Sequence, residues 1–87
     1  MIRIAIPSHL ASYTDGAREV EAAGKNLAEV LHDLDRRYPG LRFRMIDEQD
    51  RLRPHIKLFV GSEMALRLDQ QVTAGELVTI TAALSGG

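Results

Sequence analysis

The residues best placed to do chemistry in this 87-residue chain are its last three, Ser85-Gly86-Gly87. Glycine has no Cβ, so a Gly-Gly end is narrow and pliable enough to thread into another protein's active site and expose its terminal carboxylate to attack or activation. The competing reading is a frayed terminus, since at roughly 7% glycine usage about one chain in 200 ends this way by chance. The pair therefore needs support from the rest of the chain.

Other reactive constellations are missing. The chain has no cysteine, hence no disulfide, no thiolate metal ligand and no thiol nucleophile, and any sulfur chemistry must use sulfur brought from outside. His9, His32 and His55 lack metal-ligand spacing and read as surface histidines. Ser8, Ser12 and Ser85 have no nucleophile-elbow flanks. Asp33 with Asp35 and Glu19 with Glu21 read as solvated pairs, and Gly40, Gly61 and Gly75 as isolated turn glycines from which no phosphate loop can be assembled.

Bulk properties narrow the class further. A chain of this length makes one domain that buries roughly 60–65% of its unfolded surface, enough for a single core. The first 13 residues are interrupted by Pro7, Ser8 and His9 and lack a leader's apolar stretch, and nothing approaches a membrane span, so a cytoplasmic protein is expected. The net charge of −1 is unevenly spread: residues 1–35 carry −3, residues 36–57 carry +4 and residues 58–87 carry −2. Arg36, Arg37, Arg42, Arg44, Arg51, Arg53 and Lys57 make the middle basic. They are mixed with Asp47, Glu48 and Asp50 and no aromatic stacking motif accompanies them, which argues against nucleic acid and for a solvated rim or a docking surface for an acidic partner.

The elements that must position the tail follow from periodicity. Ile2, Ile4 and Ile6 alternate with polar or small residues and predict a strand over residues 2–7, ended by Pro7. After a polar loop containing Thr14-Asp15-Gly16, a weaker alternation predicts a partner strand over residues 17–22. Asn26 followed by Glu29 resembles a capping box, and Leu27, Val30, Leu31, Leu34 and Tyr38 recur at helical spacing until Pro39-Gly40 stops the helix. Alternation of Leu41, Phe43 and Met45 predicts a short strand. Residues 55–60 form a stronger one, with Ile56, Leu58 and Val60 inward and Phe59 outward. Gly61-Ser62 reads as a two-residue hairpin turn into a strand over residues 63–66, and Ala74-Gly75-Glu76 as a turn into a last strand over residues 77–82. One helix covering one sheet is an α+β sandwich of two layers. Its core uses nearly all the strong apolar periodicity and leaves no obvious internal pocket, which disfavours an independent enzyme. The domain is expected to end at residue 82, with residues 83–87 a flexible Gly-Gly tail reaching up to roughly 15 Å.

Four stretches of the sequence resemble the ubiquitin-like sulfur-carrier family, which includes the small subunit of molybdopterin synthase and the thiamin-pathway sulfur carrier. They are Val20-Glu21-Ala22-Ala23-Gly24-Lys25-Asn26-Leu27, Leu34-Asp35-Arg36-Arg37-Tyr38-Pro39-Gly40-Leu41, Leu52-Arg53-Pro54-His55-Ile56-Lys57-Leu58-Phe59-Val60-Gly61, and Gly75-Glu76-Leu77-Val78-Thr79-Ile80 continuing to Ala83-Leu84-Ser85-Gly86-Gly87. Gly61-Ser62 and Asn26-Leu27 depart from the family's common Asn-Gly and Thr-Val. The resemblance implies a β-grasp fold, a mixed sheet of four to five strands packed on one main helix, and a carrier that is not itself an enzyme. It further implies that Gly87 is adenylated by a ubiquitin-activating-type partner using ATP and magnesium, with no cofactor bound to the carrier. A sulfur donor protein then converts Gly87 to a thiocarboxylate, which a sulfur-accepting synthase consumes. Gly86, Ser85 and Leu84 would pass through or sit at the partner's channel, with Phe59, Met64 and Thr81 near the tail end of the sheet as a partner-binding surface. Arg53-Pro54-His55 looks closest to carriers serving cysteine or specialised sulfur metabolism. The alternatives are the small subunit of molybdopterin synthase and, in another class, a covalent protein modifier.

Overall fold

The computed structural model describes residues 1–83. Its regular elements are β1 (Ile2–Ala5), a 3₁₀ segment (Ser8–Thr14), β2 (Glu19–Ala22), α1 (Leu27–Arg37), α2 (Leu41–Met45), β3 (Ile56–Val60), β4 (Glu63–Met64) and β5 (Leu77–Ala82). The strands lie in the order β2-β1-β5-β3-β4. β5 runs parallel to β1 and antiparallel to β3, so the sheet is mixed and the last strand of the chain is its central one. This is the expected β-grasp, with five strands and one main helix.

Alternation along the strands decides which face packs. Ile2, Ile4, Val20, Ala22, Ile56, Leu58, Val60, Val78 and Ile80 are buried on one face, where Leu27, Val30, Leu31 and Leu34 of α1 meet them. Each buried leucine stabilises the fold by roughly 1.5–3 kcal/mol relative to exposure. The start of α1 is fixed by side chains and backbone together. Asn26 Oδ1 accepts the Glu29 N–H at 2.8 Å, while Glu29 Oε1 reaches back to the Lys25 N–H at 2.9 Å, a capping box displaced by one residue. The first two N–H groups of the helix donate to Gln70 O and Leu68 O, so the chain between β4 and β5 completes the cap. Gly24 lies so close to this turn that a Cβ there would stand 2.6 Å from Val30 N.

Three regions differ from the sequence expectation. Residues 41–45, expected as a strand, form the short helix α2. Apolar residues at i, i+2 and i+4 fit a strand, while i and i+4 alone also fit one face of a helix, and the structure buries Leu41 and Met45 while leaving Phe43 56% exposed. Asp35 decides the outcome by accepting the N–H groups of Gly40 and Arg42, both at 3.1 Å, beside a left-handed Gly40. The loop after β1 holds the 3₁₀ segment, which buries Leu10 and Thr14. The hairpin through Gly61-Ser62 is present, but its returning strand is only Glu63–Met64 instead of residues 63–66, because the chain then leaves to cap α1. No helix among the described residues is long and apolar enough to cross a membrane.

Candidate functional site

The topology makes the end of β5 the natural site. The central strand is paired with β1 from Leu77 to Thr79 and with β3 from Val78 to Ala82, and Ala83 N–H still donates to His55 O at 2.9 Å. The described chain therefore ends at the middle of one end of the sheet. Leu84, Ser85, Gly86 and Gly87 lie outside the described residues.

Two open clefts flank this root. One, on the sheet face turned away from α1, is lined by Ala5, Pro7, His9, Arg18, Thr79 and Thr81 among others. The second, on the helix side, is lined by His9, Leu10, Phe43, Arg44, Arg53 and His55. His9 borders both. In the second cleft the Arg53 guanidinium lies 4.6 Å from the Phe43 ring centroid, and its Nε donates to Phe43 O at 2.8 Å, so the head group is held in place. The Arg44 guanidinium lies 6.0 Å from the Tyr13 centroid.

Among the candidate partner-binding residues, Thr81 stands beside the root, opposite Lys57. Phe59 and Met64 stand opposite each other but two register positions nearer the Gly61-Ser62 hairpin, so they lie at mid-sheet and on the edge strand and not at the tail end as expected. The reason is the antiparallel register, which places Phe59 against Thr79. They join Ala5 and Thr79 in one row across four strands on the open face, with Met64 47% exposed. An apolar row of this kind on a sheet face suits contact with another protein.

Sequence reasoning set aside His9 and His55 as scattered surface residues and gave Arg18 no role. Sequence separation hid their proximity, and only the return of β3 beside β5 brings these groups to one end of the molecule. Among the described residues no three His, Asp or Glu side chains gather as a metal site. The clearly perturbed carboxylates lie away from the clefts. Asp33 is held well below the usual carboxylate range, chiefly by the Ala23 N–H and then by Arg37 and Arg36. Asp47 is lowered mainly by the Arg51 N–H, against the opposing effect of burial.

The mixed five-stranded sheet packed on one main helix, with the last strand at its centre, defines a ubiquitin-like β-grasp protein. No family model matches the chain. Comparison with known proteins is more informative. The sulfur carrier protein CysO of Mycobacterium tuberculosis is 30% identical over 91 residues, covering 99% of this chain and 98% of the relative, and the CysO crystal structure from that organism gives a TM-score of 0.90. A chain in the crystal structure of the Amycolatopsis orientalis BexX/CysO complex is 30% identical, with full coverage of both chains and a TM-score of 0.91. SAMP1 of Haloferax volcanii is 25% identical, with a TM-score of 0.79 and coverage of 99% and 98%. The chain belongs to the ubiquitin-like sulfur-carrier family, and its function is that of a sulfur carrier.

Proposed function

We propose that Gly87 is the point of sulfur attachment. A ubiquitin-activating-type enzyme, with its own ATP and magnesium, lets the Gly87 carboxylate oxygen attack the α-phosphate, releasing pyrophosphate and leaving an acyl adenylate. A donor protein supplying sulfide-level sulfur then forms the C–S bond at the carbonyl as AMP leaves. The resulting thiocarboxylate is the nucleophile that a sulfur-accepting synthase consumes. Activation is needed because a carboxylate oxygen is a poor leaving group until phosphorylated, and glycine leaves the carbonyl uncrowded. Leu84, Ser85 and Gly86 thread the partner's channel, and the open sheet face carrying Phe59, Met64 and Thr81 seats the partner. The acceptor belongs to cysteine or specialised sulfur metabolism, in keeping with the CysO relatives.

The observation that carries this reading is the position of β5: the strand leading toward Gly87 is the central one of the sheet, paired with both β1 and β3. Incubation with ATP, magnesium, an activating enzyme and a sulfide source, followed by intact-mass measurement, tests it. The expected result is the mass gain of one oxygen exchanged for sulfur, absent when Gly87 is deleted. An unchanged mass under conditions that load a CysO control contradicts it. The likeness to SAMP1, named a small archaeal modifier protein, supports a second reading as a covalent modifier; amide conjugates to lysine in the same assay select it.

A further inference from the structure

The arginines of this chain fall into two groups. Arg3, Arg36, Arg37, Arg42, Arg51 and Arg67 each pair with a carboxylate at 2.7–3.5 Å. The remaining three, Arg18, Arg44 and Arg53, have no carboxylate partner among the described residues, and all three line the two clefts at the root of the tail. Neither cleft is lined by an aspartate or glutamate. Arg18 and Arg53 are each anchored by Nε to a backbone carbonyl, Ile6 O at 3.0 Å and Phe43 O at 2.8 Å, and their terminal NH₂ groups make no hydrogen bond among the described residues. Anchored guanidinium groups lose less side-chain freedom on binding than free ones, and they present a fork that matches carboxylates.

We propose that Arg18, Arg44 and Arg53, with His9 and His55, form a basic collar around the tail root that docks an acidic segment of the protein receiving the tail. The occupant follows from charge and from continuity. Ala83 is hydrogen-bonded to His55, so any protein that engulfs the residues after it must lie against both clefts. Complementary charge there steers the encounter and fixes the angle at which the tail enters. The collar deepens the carrier reading and rests on it: sheet-face contacts hold the partner, and the collar orients it.

The test uses hexaglutamate peptide as the acidic probe and backbone amide shifts as the readout. Titration is expected to move the amides of residues 8–10, 43–44, 53, 55–57 and 81–83, and to weaken as salt rises. The pair R44E/R53E is expected to reduce affinity by more than about tenfold, and R36E/R37E by less than about twofold. Arg53 also holds Phe43 O, so R44E alone, whose side chain makes no hydrogen bond, serves as the variant that keeps the fold, and it is expected to weaken the peptide severalfold. Shifts spread evenly over Arg36 and Arg37, no shifts at the collar, or tighter binding there by an oligothymidylate of equal charge would each overturn the proposal. Sulfur loading of the same proteins keeps the two readings apart. Loading by the unaltered protein with no peptide binding sinks the collar alone; failure to load sinks the carrier reading while the shift map still judges the collar.

Discussion

Arg36 with Arg37 and Arg44 with Arg53 belong to the same basic stretch of sequence, yet the fold gives them opposite fates. At the end of α1, Asp33 takes both guanidinium groups at 2.7 Å and the Ala23 N–H at 2.8 Å. These charges are used internally, tying the end of β2 to the helix and complementing the helix C-terminus. At the tail root, Arg44 and Arg53 are held by aromatic rings and a carbonyl and meet no carboxylate among the described residues. The difference teaches that a charge run becomes a surface for partners only where the fold withholds its counter-charges. The helix side is built for stability, the tail end for presentation.

The contrast can be broken from either side. The largest effect is expected from Leu31→Ala, which opens a cavity in a fully buried position beneath α1: chemical denaturation should show a loss of about 2–5 kcal/mol, while the protein that remains folded loads sulfur as before. Next is Gly24→Ala. Its Cβ would press on the backbone of Val30 and Glu29, which cannot yield as a flexible side chain does, and a loss of about 1–3 kcal/mol is expected in the same measurement. The smallest effect, and the most pointed, comes from Asp33→Asn. Because the folded state depresses the Asp33 pKa, its contribution is complete above the ordinary carboxylate value of about 3.9 and is lost as pH falls below it. Stability should therefore decline as pH falls below about 4 in the unaltered protein and decline less steeply in the variant. The same change frees Arg36 and Arg37, so hexaglutamate should acquire a second contact patch there; a shift map confined to the collar would show that pairing is not what separates the two clusters.

Most of the architecture was legible in the residues. Ile2 to Ile6, Ile56 to Val60 and the 27–37 helix carry unambiguous periods, and the cap at Asn26 forms with Glu29 as its spacing suggests. What was not legible depended on distance in sequence. Leu41, Phe43 and Met45 together fit a strand and Leu41 with Met45 alone fits a helix, and the choice between them rests on Asp35 in the preceding helix. The segment after Met64 gives up strand pairing because the first turn of α1 needs its carbonyls. Val72 enters the core from a stretch with no periodic neighbours. The candidate site divides the same way. The terminal glycines could be read directly, and so could the outward face of Phe59. The gathering of His9, Arg18, Arg44, Arg53 and His55 could not, since four separate segments supply it and no local spacing links them.

The central claim is that chemistry performed by other proteins converges on the terminal carboxylate of Gly87. Its most direct test is fragmentation mass spectrometry of the protein isolated from its own host under conditions that preserve thiocarboxylates. The predicted result is a fraction of molecules in which one sulfur replaces oxygen on the C-terminal fragment containing Gly86 and Gly87. Finding that fragment only as the free carboxylate in cells actively assimilating sulfur, or only joined by an amide bond to lysines of other proteins, would contradict it.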